Sequence, residues 1–333
     1  MRIHQVDVAA PGQPPVRLAL RDWAGSANPT FLLVHGLASN ARLWDAVARR
    51  LAEAGHRAVA VDLRSHGDSD APPEGYDTTT AADDLAAVCR ALGLDPVIAV
   101  GQSWGGNVVA RFAARHPHGV VAIGLIDGGW LDLPAAFGSW ERCVEVLRPP
   151  DVDGQPAERL RRDIAAAHPD WSPDAVEATL ANLRVRADGT VQRRLAVANH
   201  LRILRSMWDS PPWPDLAAIP VPALLTPALP ALLTPALPAP LTPALPAGRD
   251  AAQLDDKRES VARAAAALGH ATVRAYPGGD HDLHAQQPDR IAADLIDLAT
   301  LVPIAAHDKG RSDAGTAGHH GVGRDLTDDD KST

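Results

Sequence analysis

Short, almost uninterrupted apolar runs alternate with amphipathic stretches along the first half of the chain, and nothing else in the sequence restricts the fold as much. Thr30–Val34, Arg57–Val61, Pro96–Val100 and Val120–Ile126 have the length of strands. They lack the regular polar face that a strand half open to water would carry. Between them, Ala41–Ala54 sets Leu43, Val47 and Leu51 at helical spacing and stops at Gly55, and Thr80–Leu92 sets Leu85, Val88 and Leu92 on one side. Gly106–His116 reads as a further helix. Strands buried on both faces and joined by helices predict a mostly parallel sheet covered on both sides. Arg2–Val8 and Val16–Arg21 are predicted as strands ahead of it, with Pro/Gly-rich punctuation between them.

The pattern changes between Gly128 and Asp215. No strand is predicted there, and Pro156–Ala167, Pro173–Val185 and Val191–Trp208 read as helices, the second capped by Ser172 ahead of Pro173. Five of the eight tryptophans (Trp130, Trp140, Trp171, Trp208, Trp213) lie in this stretch. A Trp-rich helical insert suggests a cap over a sheet, with the insert's own core as the plainer use of each ring. Strand–helix alternation then resumes through Val221–Thr226, Asp255–Leu268, Ala271–Tyr276 and Pro288–Leu301. The predicted organisation is a core of residues 1–130 and 215–303, a helical cap of 131–214, and a disordered polar tail of 304–333. His319 and His320 in that tail are read as solvated rather than metal-binding.

Within the resumed core, residues 224–247 are three tandem octads: LLTPALPA, LLTPALPA and PLTPALPA. Proline has no ladder donor and fixes its own φ, so three such octads cannot all be inner strands. One copy is expected to supply a short strand, either Ala223–Thr226 or Ala231–Thr234. The others are expected to loop outward, partly as polyproline II.

Composition narrows the function. Of 333 residues, 41 are acidic and 32 basic, a net charge of −9, so the basic surface that general nucleic-acid binding needs is missing. Two cysteines, Cys89 and Cys143, are too few for a disulfide framework and read as buried thiols of a reducing compartment. No run is apolar enough over its length to span a membrane, and the N-terminus lacks the features of a signal peptide. The expectation is a cytoplasmic protein.

Three motifs carry chemistry. Gly101-Gln102-Ser103-Trp104-Gly105 joins a predicted strand to a predicted helix, where a serine can stand on a sharp turn with its Oγ exposed and a helix N-terminus beside it. His35-Gly36-Leu37 follows a strand, so a backbone N–H can turn toward a reacting carbonyl oxygen. The backbone N–H groups of Leu37 and Trp104 are assigned as the two oxyanion donors. His35 itself is read as a loop-shaping residue. Gly278-Gly279-Asp280-His281-Asp282-Leu283-His284 supplies the base that a nucleophilic serine needs. His281 is the assignment and His284 the runner-up. A metal pair from these two is disfavoured because no third ligand lies nearby in sequence.

These residues together resemble the α/β-hydrolase fold superfamily, in particular its capped, esterase-like members. His35-Gly36-Leu37 with Trp44 is similar to the family's oxyanion loop, and Gly101–Gly105 to its nucleophile elbow. Gly278 through Pro288 resembles the catalytic-histidine segment. Asp62-Leu63-Arg64-Ser65-His66-Gly67-Asp68-Ser69 resembles the D-x-R-G-H-G-x-S loop, with Ser65 in place of its first glycine. The resemblance covers about residues 15–302. It implies a mostly parallel eight-stranded sheet with helices on both faces and a helical cap. It also implies a Ser–acid–His order in the chain. For the acid, Asp250 lies 31 residues before His281, the family's usual spacing, and directly after the octads; Asp127, at the end of Val120–Ile126, is the alternative.

The resulting expectation is a serine hydrolase acting on a fairly apolar ester, lactone or related small acyl substrate through an acyl-enzyme, with no cofactor or metal. Trp130 and Trp208 are the candidate substrate-binding rings. An acyltransferase or C–C bond hydrolase on the same triad, and a non-catalytic ligand-binding member of the fold, stay open. Protein partners are not legible.

Overall fold

A computed structural model of the chain describes residues 1–9, 14–229 and 251–302. In chain order its elements are β1 (Arg2–Val8), β2 (Val16–Trp23), β3 (Ala27–Val34), α1 (Asp45–Glu53), β4 (His56–Val61), α2 (Thr78–Leu92), β5 (Val97–Gln102), α3 (Trp104–Arg115) and β6 (Val120–Ile126). An insert follows: α4 (Leu133–Phe137), α5 (Trp140–Leu147), α6 (Ala157–Ala167), α7 (Pro173–Leu180), β7 (Leu183–Val185), β8 (Val191–Arg193), α8 (Val197–Asp209) and α9 (Trp213–Ala217). The chain closes with β9 (Ala223–Thr226), β10 (Ala228–Leu229), α10 (Ala251–Leu268), β11 (Ala271–Val273), β12 (Tyr276–Pro277), α11 (Leu283–Gln286) and α12 (Pro288–Thr300).

Eight strands form one sheet in the order β1-β2-β4-β3-β5-β6-β9-β11. β1 and β2 pair antiparallel, β2 joins β4 antiparallel, and every pair from β4 to β11 is parallel. Side chains alternate between the two faces along each central strand. Leu32, Val34, Val59, Val61, Val97 and Ala99 enter one core with Leu85 of α2 and Val108 of α3. Phe31, Leu33, Ala58, Ala60, Ile98 and Val100 enter the other with Val47 and Leu51 of α1 and Ile291 and Leu295 of α12. Water is thereby excluded from both faces, which is why these strands read as continuous apolar runs. At the edge, ladder pairing on β9 stops at Pro227, which has no N–H to give, and resumes as the two-residue pair β10–β12. The predicted strand Ala271–Tyr276 is split at the same level.

The insert departs from its all-helical expectation. Helix α7 ends at Leu180, and β7 and β8 pair antiparallel. The turn between them carries Asp188-Gly189, and Gly189 takes φ +81°, a conformation open to glycine. Ser172 caps α7 by accepting the Ala175 N–H at 3.2 Å. The insert's own core gathers Val152, Leu160, Ile164, Trp171, Val176 and Leu180. The first octad supplies β9, the first of the two expected strands. The second and third octads, Asp250, His319 and His320 lie outside the described residues. Among the described residues, no helix is long and apolar enough to cross a membrane.

Candidate active site

Ser103 stands between β5 and α3 at φ 53° and ψ −125°, a strained conformation for a residue with a side chain. The turn is possible because the chain packs without side chains on either side of it. A Cβ on Gly101 would strike the Gly105 carbonyl, and one on Gly105 would strike the His35 and Val34 carbonyl oxygens. The Ser103 N–H is held by the Ile126 carbonyl of β6 at 3.0 Å. Trp104 opens α3, so its N–H has no carbonyl one turn back to bond to.

The loop after β3 faces this turn. His35 is fully buried; its Nδ1 donates to the Gly36 carbonyl at 2.7 Å and its Nε2 accepts the Leu63 N–H at 3.0 Å. Burial holds the ring neutral, with its pKa pushed down to about 4. His35 therefore shapes the loop. The next N–H, that of Leu37, meets no acceptor among the described residues, while Ala38 donates to His66 Nε2 at 3.3 Å. His66 in turn anchors to the Arg64 carbonyl at 2.9 Å.

The Asp62–Ser69 loop thus acts as a buttress. Asp62 accepts the N–H groups of Ala41 at 2.7 Å and Asp68 at 3.0 Å, and burial raises its carboxyl to about 6. Arg64 is locked to Asp84 by two hydrogen bonds of 2.6 and 2.9 Å. Ser65, the departure from the family's glycine, sits at φ +67°, where glycine would be at ease.

The histidine arrives from β12. His281 Nδ1 lies 2.8 Å from Asp127 Oδ2, at the end of β6, and Gln102, next to the serine, donates its Nε2–H to the His281 carbonyl at 3.0 Å. The other Asp127 oxygen receives the Ala228 N–H at 2.9 Å and lies 2.7 Å from Lys257 Nζ on α10. Burial pushes the Asp127 carboxyl up, but Lys257 and His281 together hold it below the usual carboxylate range. Burial pushes His281 down, and the Asp127 hydrogen bond and charge, aided by Asp282, outweigh this and raise it. The structure thus brings Asp127 to His281, whereas Asp250 is outside the described residues. His284 is fully buried against Trp44 at 4.4 Å between ring centroids, and neither ring nitrogen has a partner among the described residues. It faces away from base chemistry, with a pKa pushed down to about 3 by burial.

Of the two candidate substrate rings, Trp130 is buried two residues beyond Gly128, where a Cβ would strike the Ser103 backbone. Trp208, partly buried, packs edge-on against Trp140 within the insert, at 5.8 Å between ring centroids. Sequence reasoning missed Lys257, since nothing in a helical pattern marks one exposed-looking lysine. It also missed the bonds that tie the insert to the site loops. Asn40 donates to the Ala178 carbonyl at 2.7 Å and to Asn182. Trp171 donates to Asp280 at 2.8 Å, and His168 lies 3.2 Å from the same oxygen. Among the described residues no three His, Cys, Asp or Glu side chains converge as a metal site.

A mostly parallel eight-stranded sheet with a serine at a strained strand-to-helix turn, and an aspartate after β6 paired with a histidine from the loop after β12, defines the α/β-hydrolase class. The chain belongs to the alpha/beta hydrolase fold family, whose model matches residues 29–288. It is 27% identical over 290 residues to a non-heme chloroperoxidase of Streptomyces lividans, covering 83% of this chain and 93% of that protein. It is 41% identical over 108 residues to a non-heme haloperoxidase of Rhodococcus erythropolis; this match spans 32% of the chain and only 39% of the relative. A 34% identical match to 2-(acetamidomethylene)succinate hydrolase of Mesorhizobium japonicum likewise spans 33% of the chain and 40% of that relative. The crystal structure of E-2-(acetamidomethylene)succinate hydrolase superposes with a TM-score of 0.69 at 22% identity, over 89% of this chain and 98% of the other. That likeness is one of fold.

Proposed function

We propose that the protein is a serine hydrolase of small acyl substrates, with Ser103 as nucleophile, His281 as general base and Asp127 as the acid. The observation that carries this reading is the 2.8 Å contact between His281 Nδ1 and the buried Asp127 carboxylate, on a histidine whose backbone is bonded to the residue beside Ser103. A base used on serine needs its Nδ1–H held so that Nε2 carries the lone pair. Ser103 Oγ attacks the acyl carbon and His281 takes the proton. The N–H groups of Leu37 and Trp104 hold the oxyanion, His281 gives that proton to the departing alcohol to leave an acyl-enzyme, and water activated by His281 then releases the acid. The insert of residues 131–214 serves as the cap; its bonds through Asn182 and Trp171 to the loops bearing Leu37 and His281 support this.

A fluorophosphonate probe tests the reading. Wild-type protein should label covalently and Ser103→Ala should not. Absence of wild-type labelling, or equal labelling of the variant, would overturn it.

The relatives named as haloperoxidases favour a second outcome on the same acyl-enzyme. Attack by hydrogen peroxide instead of water gives a peracid, which oxidises halide. Peroxide-dependent bromination in carboxylate buffer, lost in Ser103→Ala, distinguishes it from simple hydrolysis.

A further inference from the structure

The G-x-S-x-G pattern specifies the glycines and the serine of the turn and leaves the residue ahead of the serine open. In this chain that residue is Gln102, the last of β5, and it is only 1% exposed. A buried amide weakens a core unless hydrogen bonds replace the water it gave up, so its partners matter.

Both ends of the amide meet the site. Its Nε2–H donates to the His281 carbonyl at 3.0 Å. Its Oε1 lies against Gly36, where an added Cβ would come within 2.3 Å of it. The amide fits there because residue 36 is glycine, and it touches both the loop that bears Leu37 and the loop that bears His281.

His281 is held at its ring by Asp127, which fixes the tautomer. A ring pinned at one atom still pivots, and the reach of Nε2 then depends on where the main chain stands. Among the described residues no main-chain N–H bonds the His281 carbonyl, and the Gln102 amide does. The base is thereby tied to the residue next to the nucleophile. Gln102 is itself fixed, since β5 pairs with β6 through Gln102 and Ile126, and the Ile126 carbonyl accepts the Ser103 N–H at 3.0 Å. Residues 102–103 and 126–127 thus form one short frame that carries the nucleophile, the acid and the anchor of the base.

We infer that Gln102 is a positioning residue for the reaction: its side-chain amide sets the reach of His281 toward Ser103. The inference rests on the serine-hydrolase reading, because a base must come within hydrogen-bond reach of the hydroxyl it serves.

Gln102→Met keeps the length of the side chain and removes the amide. It should lower kcat about 10- to 100-fold, as a misplacement of about 1 Å does, and leave KM within about twofold of wild type. The rate of fluorophosphonate labelling, which uses the same base without turnover, should fall by the same factor. The acidic limb of the kcat/KM profile should stay in place, because Asp127 still meets the ring. Gln102→Glu gives a second readout. A carboxylate has no proton for the His281 carbonyl, and a carboxylic acid has one. The ratio of variant to wild-type kcat/KM should therefore climb toward one as pH is lowered and the introduced carboxyl takes up its proton. Wild-type kcat and labelling rate in Gln102→Met, a loss confined to KM or to the melting temperature, or a Gln102→Glu ratio that stays flat with pH overturns the inference. If Gln102→Met does not fold, the pH dependence of Gln102→Glu decides alone. Absence of labelling in wild type fails the hydrolase reading itself; labelling that is lost in Ser103→Ala but unslowed in the Gln102 variants fails only the positioning role.

Discussion

Lys257 Nζ lies 2.7 Å from Asp127 Oδ1, so the carboxylate that meets His281 is ion-paired on its other oxygen. The lysine is a quarter exposed and the carboxylate almost wholly buried. A cation there keeps Asp127 ionised and also disfavours protonation of His281. Among the described residues, Asp282 beside it and the neutral ring of His284 also act on or are acted on by His281.

Replacing Lys257 by Met removes the charge that pulls the His281 pKa down. The acidic limb of the kcat/KM profile should move to higher pH, with the plateau lowered only a few-fold. A pH profile that stays where it was would mean that the ion pair does not reach the histidine.

Asp127→Asn should lower kcat by about 10³–10⁴-fold, the usual loss when a histidine's orienting carboxylate goes. It should also shift the acidic limb to lower pH, because Asp127 is what raises His281. Asp250→Asn should retain near wild-type turnover. The comparison of the two single variants in one assay decides between them.

Trp171→Phe keeps the ring and removes the indole N–H that holds Asp280 at 2.8 Å. Asp280 precedes His281, and its Oδ1 also accepts the Asp282 N–H at 2.9 Å. Loosening this latch should lower kcat several-fold while costing only about 1–2 kcal/mol of stability. Parallel kinetics and thermal melts separate the two; a stability loss with unchanged kcat would show that the latch is structural alone.

Removing one partner of the buried Arg64–Asp84 pair leaves an uncompensated charge. Asp84→Ala should cost about 3–5 kcal/mol of folding stability. Asp83→Ala, which breaks a surface pair with Arg115, should cost under about 1 kcal/mol. Urea melts of the two variants check the contrast.

Three fully buried histidines, His35, His200 and His284, have folded pKa values of about 4, 4 and 3, all lowered chiefly by burial. Their unfolded pKa is about 6.5, so the unfolded chain takes up protons first. Stability is complete above that pH and falls as acidity increases toward the folded values, by about 1.4 kcal/mol per pH unit for each ring. His284→Leu removes one of the three and two unpartnered nitrogens. The variant should be at least as stable as wild type at neutral pH and lose less stability on acidification; a melting temperature with an unchanged pH slope would refute this.

The central strands were legible because burial on both faces leaves nearly continuous apolar runs, as in Thr30–Val34 and Pro96–Val100. The Ser103 turn was legible because only glycine fits at 101 and 105, and glycine shows in a sequence. The β7–β8 hairpin was missed because three-residue strands are shorter than any periodicity window; its Asp188-Gly189 pair was the one available sign. The partner of His281 was harder still. Spacing along the chain pointed to Asp250, but the contact with Asp127 depends on β6 lying beside β9 and on β10, which follows β9, pairing with β12, a property of topology and not of distance along the sequence.

The Ala228 N–H that holds Asp127 belongs to the first octad, and Leu232–Ala239 spells the same eight residues again. The words that build β9, break the ladder at Pro227 and present a donor to the carboxylate are therefore written twice in succession, with a near copy after them. Loss of one complete octad would bring an identical text into the same reading position. A change of one octad in the chain would therefore leave the residue type that steadies Asp127 the same.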